Sequence, residues 1–163
     1  MNAVDESSAA PLAIRVEDLP EKAGAQLPSS GWLQVEQDRI TDFADATDDH
    51  QWIHVNPERA QSGPYGTTVA HGFLTLSLVA PLLKQMLRVE GATSAFNYGL
   101  EKVRFPSPVT RGARIRGTGR IIAADVTEAG VRLRLGLSVE VEDQAKPACV
   151  LELIVLYSSS QRA

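Results

Sequence analysis

The sequence predicts an α+β domain in which one buried helix packs against a curved antiparallel sheet. The first observation is the segment 71–87, which is apolar on nearly every side, as is typical of a buried helix. The second is a series of strand patterns that all follow this helix. The third is the shortness of the connections at 125–130 and 142–147, which favours antiparallel neighbours. A sheet that covers such a helix has to curve around it.

The first part of the chain contains short elements. A short helix is expected around residues 16–23, and a short strand at 32–35. Apolar residues at i, i+3, i+4 and i+7 predict an amphipathic helix over 36–47. Prolines and glycines then mark 48–69 as a loop region, with a helical turn at 57–61.

The central helix is predicted over residues 71–87. Its apolar stripe consists of Phe73, Leu76, Ala80, Leu83 and Leu87. At 1.5 Å per residue such a helix spans about 26 Å, close to the width of a domain of this size. Pro81 has no N–H to donate to the Ser77 carbonyl, so we expect a kink near it.

Four strands are predicted after the helix, over 95–105, 113–124, 131–141 and 148–157. The third alternates strictly, with apolar residues at odd positions, which indicates a half-buried strand. The fourth is apolar on both faces except at Glu152, which indicates a more central place in the sheet. A monomer would leave an edge strand with which a second copy could pair.

Size and cysteine content favour one cytoplasmic domain. The chain has 163 residues, which fits a single domain over 13–157 between a flexible tail at 1–12 and another at 158–163. Cys149 is the single cysteine, as fits a reducing compartment. We expect no secretory signal and no membrane span, because no basic start precedes an apolar run and no apolar run reaches about 18 residues.

Charge excludes one class of partner. The formal net charge is −4, with 16 basic and 20 acidic residues. A general nucleic-acid binder needs a surface that neutralises phosphates, so nucleic acid is not an expected partner. Aromatic residues make up only 6% of the chain, which predicts a core built mainly from Leu, Val, Ile and Ala.

All three histidines fall within the loop region and the start of the central helix. The first chemical interpretation is an Asp49–His54 pair, five residues apart across a non-helical turn, acting on a water or on a substrate proton. The second is a metal site, because His50 and His54 have a spacing that would put both on one helical face. Against metal, the residues between them supply no glutamate in the zincin position, and no cysteine pair is present.

The start of the central helix offers a third interpretation. The N–H groups of a first helical turn have no intrahelical acceptor, so the Gly72 amide could stabilise a carbonyl oxygen that gains negative charge. The alternative is purely structural: the aspartates cap helices and solvate the loop, and His71 caps the central helix. Ser77 is either a polar contact in a pocket or an ordinary intrahelical hydroxyl.

Three segments together resemble one family. Residues 43–55 (FADATDDHQWIHV) resemble the hydratase-2 motif of the MaoC-like dehydratases, the (R)-specific enoyl-CoA hydratases and nodulation protein N-like proteins. Residues 66–74 (GTTVAHGFL) are similar to the motif at the entrance of that family's central helix. Residues 97–106 (NYGLEKVRFP) resemble the strand that follows the helix.

The resemblance implies a hotdog fold, a homodimer with its sites near the subunit interface, and an acyl-CoA thioester substrate without cofactor or metal. It places Asp49 and His54 at the catalytic pair and Gly72 at the backbone donor to the thioester carbonyl. Ser77 falls at a polar pocket position, and His71 adjoins this binding region. The implied reaction is reversible hydration of a trans-2-enoyl thioester to the (R)-3-hydroxyacyl product.

Two other functions remain open from the sequence. A hotdog acyl-CoA thioesterase would share the fold and the ligand, but its water would attack the thioester carbonyl instead of C3. A non-catalytic acyl-thioester-binding protein would bind without turnover. Release of free thiol would indicate the former, and binding without reaction the latter.

Overall fold

The computed structural model of the chain describes residues 9–158. Its strands are β1 Leu12–Arg15, β2 Gln26–Leu27, β3 Leu33–Gln34, β4 Leu87–Glu90, β5 Ser94–Arg104, β6 Arg114–Thr127, β7 Gly130–Val141 and β8 Cys149–Ser158. Its helices are a 3₁₀ helix at Val16–Lys22 and five α-helices: α1 Gln37–Thr47, α2 Trp52–Val55, α3 Pro57–Gln61, α4 Gly72–Ser77 and α5 Val79–Met86.

The main sheet has six strands, all antiparallel, in the order β2-β6-β7-β8-β5, with β3 also paired to β6. The predicted short connections do join antiparallel neighbours: Thr127 pairs with Gly130 at the β6–β7 hairpin, and Val139 pairs with Cys149 at the start of the β7–β8 ladder. β8 lies between β7 and the edge strand β5, as its two apolar faces predict. The α+β prediction is confirmed.

β7 shows how the sequence pattern becomes a core. Each odd position from Val131 to Val141 is buried and each even position is partly exposed. The odd side chains therefore face the helices, and the even ones face the other way. The hydrophobic core that they join is formed mainly by Leu, Val and Ile, as the low aromatic content predicts. Leu133 and Leu135 are completely buried within it.

The central helix is interrupted, as Pro81 predicts. α4 ends at Ser77 and α5 begins at Val79, and Leu78 between them has φ −69° and ψ −12°. Pro81 has no N–H for the Ser77 carbonyl and crowds the preceding turn, which explains a break just before it. The helix ends at Met86, because Leu87 is already extended, with φ −140° and ψ 130°.

Gly117 on β6 lets α5 lie close to the sheet. A Cβ atom at this position would come within 2.8 Å of the Met86 sulfur and 3.2 Å of the Leu82 Cβ. A side chain at this position would therefore force the Met86 side chain to move and would crowd Leu82 on the helix.

A second sheet was absent from the sequence predictions. β1 and β4 form a two-stranded parallel pair in which Leu12 aligns with Leu87. The predicted N-terminal tail, 1–12, is therefore wrong at its last residue, because Leu12 begins β1. The predicted C-terminal tail, 158–163, is likewise wrong at its first residue, because β8 continues to Ser158. Residues 1–8 and 159–163 lie outside the described residues, so the tails predicted there stay predictions. Among the described residues, no helix is long and apolar enough to cross a membrane.

Candidate active site

His54 lies on α2, a single helical turn within the region predicted as a loop. The expected non-helical turn between Asp49 and His54 is confirmed for residues 49–51 and wrong from Trp52 on, where α2 begins. The His54 side chain is buried, and its Nδ1 lies 2.6 Å from the carbonyl oxygen of Val69. A carbonyl can only accept, so Nδ1 carries the hydrogen and Nε2 keeps its lone pair. A backbone bond of 3.0 Å from the Val69 amide to the Ile53 carbonyl holds the two segments together.

Burial changes the acid–base behaviour of this imidazole. Desolvation lowers the pKa of His54 below its ordinary value and outweighs the opposing effects of the Val69 carbonyl and of Asp49. The nearby His71 ring lowers the pKa further. A lowered pKa favours the neutral form of His54 around neutral pH.

Asp49 reaches the same place from the end of α1. Asp48, the residue that ends this helix, has a left-handed backbone with φ 56°, which turns the chain back toward α2. A carboxylate oxygen of Asp49 and a ring nitrogen of His54 lie no more than 4.8 Å apart. The Asp49 side chain is 57% exposed, whereas His54 is buried, so solvent reaches the carboxylate much more than the imidazole.

His71 lies directly behind the pair. Its ring stacks on that of His54, with 3.7 Å between centroids and 24° between planes, and it also contacts Phe43. Its Nε2 donates to the backbone carbonyl of Asp49 over 2.9 Å. Its Nδ1 is buried and has no hydrogen-bond partner in the described part of the chain. The structural alternative of a capping side chain is wrong, because His71 precedes α4 without a side-chain bond to it.

Gly72 is the first residue of α4, where the backbone N–H has no acceptor within the helix. The ring of Phe105 lies against it, so that a Cβ atom on Gly72 would approach that ring to 3.3 Å. Phe105 follows an irregular stretch of β5, in which the register with β8 shifts between Glu101 and Arg104. Such a bulge re-aims the residues beyond it, and here the strand end covers the entrance of the helix.

Ser77 lies on the rim of an open apolar groove of about 560 Å³ between the interrupted helix and strands β5 and β8. The groove is lined chiefly by aliphatic side chains, among them Leu76, Val79, Leu83, Leu151 and Leu153. The Ser77 hydroxyl donates to the Phe73 carbonyl over 2.8 Å, which is the ordinary intrahelical bond of a serine.

His50 is separate from this cluster. It precedes α2, is largely exposed and is bonded to the Asp45 carboxylate over 2.8 Å. The predicted helical face shared by His50 and His54 is therefore wrong. Asp49, His54 and His71 are close enough to be compared with a metal site. However, imidazole lone pairs lie in the ring plane, so two nearly parallel stacked rings do not direct them at one ion.

Two polar residues at the site were not singled out from the sequence. Gln37, on the first turn of α1, donates through Nε2 to the His54 carbonyl over 2.8 Å. Thr68, which is fully buried, donates through its hydroxyl to Gln37 Oε1. Thr68 lies within the motif at the helix entrance, but nothing in a linear pattern indicates a partner 31 residues away.

Comparison with known proteins identifies the family of the chain. Residues 18–139 match the family model of the MaoC like domain. The 3-hydroxyacyl-thioester dehydratase Z of Mycobacterium tuberculosis is 51% identical over 143 residues, which cover 87% of this chain and 95% of that protein. Nodulation protein N of Rhizobium leguminosarum bv. viciae is 40% identical, over 88% of this chain and 91% of that protein.

A solved structure supports the fold. The (R)-hydratase from A. caviae involved in PHA biosynthesis superposes with a TM-score of 0.65 at 21% identity, over 77% of this chain and 89% of that one. An antiparallel sheet with a central helix, together with relatives named as dehydratases, defines the class as hotdog-fold hydro-lyases. The chain belongs to the MaoC-like dehydratase family.

Proposed function

We propose that the protein catalyses the reversible hydration of a trans-2-enoyl-CoA to the (R)-3-hydroxyacyl-CoA. The observation that carries this proposal is the arrangement of Asp49 and His54, an exposed carboxylate and a buried imidazole whose polar atoms lie within 4.8 Å. Two hydrogen-bonding atoms at such a separation can share one water molecule, because each bond needs about 2.8 Å.

The pair acts on that water. With Nδ1–H committed to the Val69 carbonyl, His54 Nε2 accepts a hydrogen from the water, and the Asp49 carboxylate accepts the other. As the water oxygen bonds to C3, the pair takes one proton from it, and one proton is returned to C2. The product then carries hydroxyl at C3 and hydrogen at C2, and no electrons are exchanged. Neither a cofactor nor a metal is required.

The thioester carbonyl gains negative charge when C3 is attacked. The Gly72 amide is free of intrahelical bonds and points out of the first turn of α4, so it is the proposed donor to this oxygen. The absence of a side chain at Gly72 leaves room for the substrate beside the Phe105 ring. We place His71 behind His54 as a support of this site.

The groove supports an acyl substrate. It begins at α4, whose length of six residues puts Ser77 about 7–8 Å beyond Gly72 along the helix axis. Its aliphatic lining suits a hydrocarbon chain, which is the kind of surface that ligand pockets usually present. The relative with 51% identity is named for 3-hydroxyacyl thioesters, and a more distant one, with 27% identity, for 3-hydroxybutyryl-CoA.

We also propose a homodimer formed at the β5 edge. This strand exposes Phe96 by 57% and Tyr98 by 60%, and an exposed apolar edge strand is a template for pairing. Light scattering at micromolar concentration should give twice the chain mass. Phe96→Asp should give a monomer, whereas Val126→Asp, at a residue 68% exposed in β6, should not. A monomeric wild type would refute the dimer.

The reaction is tested with crotonyl-CoA, whose conjugated double bond absorbs in the ultraviolet. Loss of absorbance, together with chiral analysis showing (R)-3-hydroxybutyryl-CoA, is the expected result. Butyryl-CoA, which has no double bond, is the matched control. Release of free thiol from butyryl-CoA would instead show a thioesterase, and binding of both compounds without reaction would show a non-catalytic binder. Either result would overturn the proposal.

A further inference from the structure

Gln37 ties together the two segments that meet at His54. Its Nε2 donates to the His54 carbonyl over 2.8 Å, and its Oε1 accepts the hydroxyl hydrogen of Thr68. Thr68 immediately precedes Val69, whose carbonyl receives the His54 Nδ1–H. We infer that Gln37 and Thr68 form a clamp that positions the His54 imidazole for proton transfer. This role rests on the proposed hydration, in which His54 is the base.

The clamp replaces a bond that the backbone cannot make. In a continuous helix the His54 carbonyl would accept from the Glu58 amide, four residues on. However, α2 ends at Val55, and Asn56 is extended with φ −121° and ψ 90°. Pro57, the residue after it, has no N–H at all. The His54 carbonyl therefore depends on a side chain from elsewhere, and the Gln37 amide supplies it.

The chemistry of the partners fixes the orientation of the Gln37 amide. The His54 carbonyl can only accept, so it must face the Nε2 hydrogens. The Thr68 hydroxyl then meets Oε1 and must donate to it. No flipped arrangement satisfies both partners, and Thr68 is completely buried, without access to solvent as a substitute.

The position of Gln37 on the molecule explains why the clamp is rigid. It lies on the first turn of α1, a helix anchored by the fully buried Ile40 and Ala44. The glutamine thus links the His54 backbone and the segment of Thr68 and Val69 to one packed helix. Because His54 is held through its carbonyl as well as through Nδ1, its ring has little freedom to tilt away from Asp49.

Activity of four variants tests the clamp. Gln37→Ala removes both bonds of the clamp, together with a longer bond of 3.3 Å to the Thr41 hydroxyl. Thr68→Val removes the hydroxyl while keeping the side-chain shape. Each should lower kcat for crotonyl-CoA hydration by about tenfold to a hundredfold, with KM little changed, because small misplacements of a catalytic group have effects of this size. Thr68→Ser should restore most of the rate. Gln85→Ala is the matched control, since this half-buried glutamine holds the Gly31 amide far from the site.

The double variant separates a shared role from two independent ones. If both residues act through one clamp, Gln37→Ala combined with Thr68→Val should lose little more activity than the more damaged single variant. Multiplied losses would show two independent effects and would overturn the clamp. Thermal unfolding of all variants distinguishes this from general destabilisation, because a structural role alone would lower Tm and leave kcat of the folded fraction unchanged.

A spectroscopic measurement is independent of turnover. Long-range ¹H–¹⁵N spectra of the imidazoles report which ring nitrogen carries the hydrogen. Wild type and Gln85→Ala should show His54 as the Nδ1–H form, whereas Gln37→Ala and Thr68→Val should show a mixture of forms. An unchanged His54 signal in both variants would overturn the clamp, even in an active enzyme. An inactive wild type with the expected shifts would instead overturn the hydration and leave the clamp in place.

Discussion

Two histidines only four residues apart lie in opposite surroundings. His50 is 49% exposed and shares a hydrogen bond with the Asp45 carboxylate, which raises its pKa above the ordinary value. His54 is 7% exposed and bonds to a backbone carbonyl, and burial lowers its pKa. We call the first the surface pair and the second, with Asp49 and His71, the buried cluster.

The difference shows what sets the charge and the tautomer of each histidine. The surface pair has the shorter contact with a carboxylate, yet exposed ion pairs contribute little and leave the imidazole charged more of the time. In the buried cluster a neutral acceptor, the Val69 carbonyl, fixes the tautomer, and desolvation keeps the Nε2 lone pair available. An aspartate nearby in the sequence therefore does not identify a histidine whose imidazole is neutral and has a free lone pair. The hydrogen-bond partner of Nδ1 identifies it better.

The largest predicted effect compares the two groups directly. His54→Ala and Asp49→Asn should each lower kcat/KM for crotonyl-CoA by about 10² to 10⁴, the usual contribution of an acid–base pair. The matched changes in the surface pair, His50→Ala and Asp45→Asn, should stay within about twofold, since exposed residues that touch no substrate contribute little. Steady-state kinetics at pH 7.5 (an arbitrary working value, roughly one unit above the ordinary pKa of histidine) make the comparison. A large loss in His50→Ala would reverse the assignment.

The second effect concerns Gly72, the proposed backbone donor at the start of α4. In Gly72→Ala the new methyl group would press on the Phe105 ring, so either the ring gives by a few tenths of an ångström or the helix entrance shifts. We expect a loss of about tenfold to a hundredfold in kcat, because the amide is displaced from the thioester oxygen. Stopped-flow or steady-state assays measure it.

A compensating change controls for the contact with Phe105. Phe105→Leu alone should cost less than Gly72→Ala, because it leaves the amide in place. In the double variant the smaller side chain makes room for the methyl group, so part of the lost activity should return. An equal or larger loss in the double variant would show that the methyl group blocks the substrate itself.

Much of the fold could be predicted from the sequence, and the reasons are local. Strict alternation identifies β7, and the apolar segment with Pro81 identifies an interrupted central helix. The β1–β4 pair escaped prediction, because each strand has only four residues and the partners lie far apart in the chain. Strands this short carry too few alternations to distinguish them from loop.

The candidate site was predictable in its residues but not in its bonds. The motifs gave Asp49, His54 and Gly72 because their identities are characteristic of a family. The bond from His54 to Val69 spans 15 residues, and that from Gln37 to His54 spans 17. Such contacts depend on how loops return to each other, for which sequence periodicity carries no information.

The third effect is a pH dependence that should differ between the two groups. The folded pKa of His54 lies below its unfolded value of about 6.5, so the acidic limb of kcat/KM should fall below pH 6.5. The contribution of neutral His54 to the free energy of unfolding is complete above the unfolded pKa and is lost as pH falls through the folded pKa. His50→Ala should leave the acidic limb unmoved. A limb above pH 6.5 that disappears in His50→Ala would assign it to the surface pair.

The smallest effect is expected at Ser77, an exposed hydroxyl whose hydrogen is already used within its own helix. Because the hydroxyl donates to the Phe73 carbonyl, it has no hydrogen to offer a substrate without breaking that bond. Ser77→Ala should therefore change kcat/KM for crotonyl-CoA by less than about threefold, and the higher helix propensity of alanine should leave Tm equal or slightly higher. Kinetics with short and long enoyl-CoA substrates, beside calorimetry, check both expectations. A loss approaching that of Gly72→Ala would mean that the Ser77 hydroxyl turns toward the bound thioester. The exposure of a side chain in the unliganded protein would then not tell which residues along the groove contact the substrate.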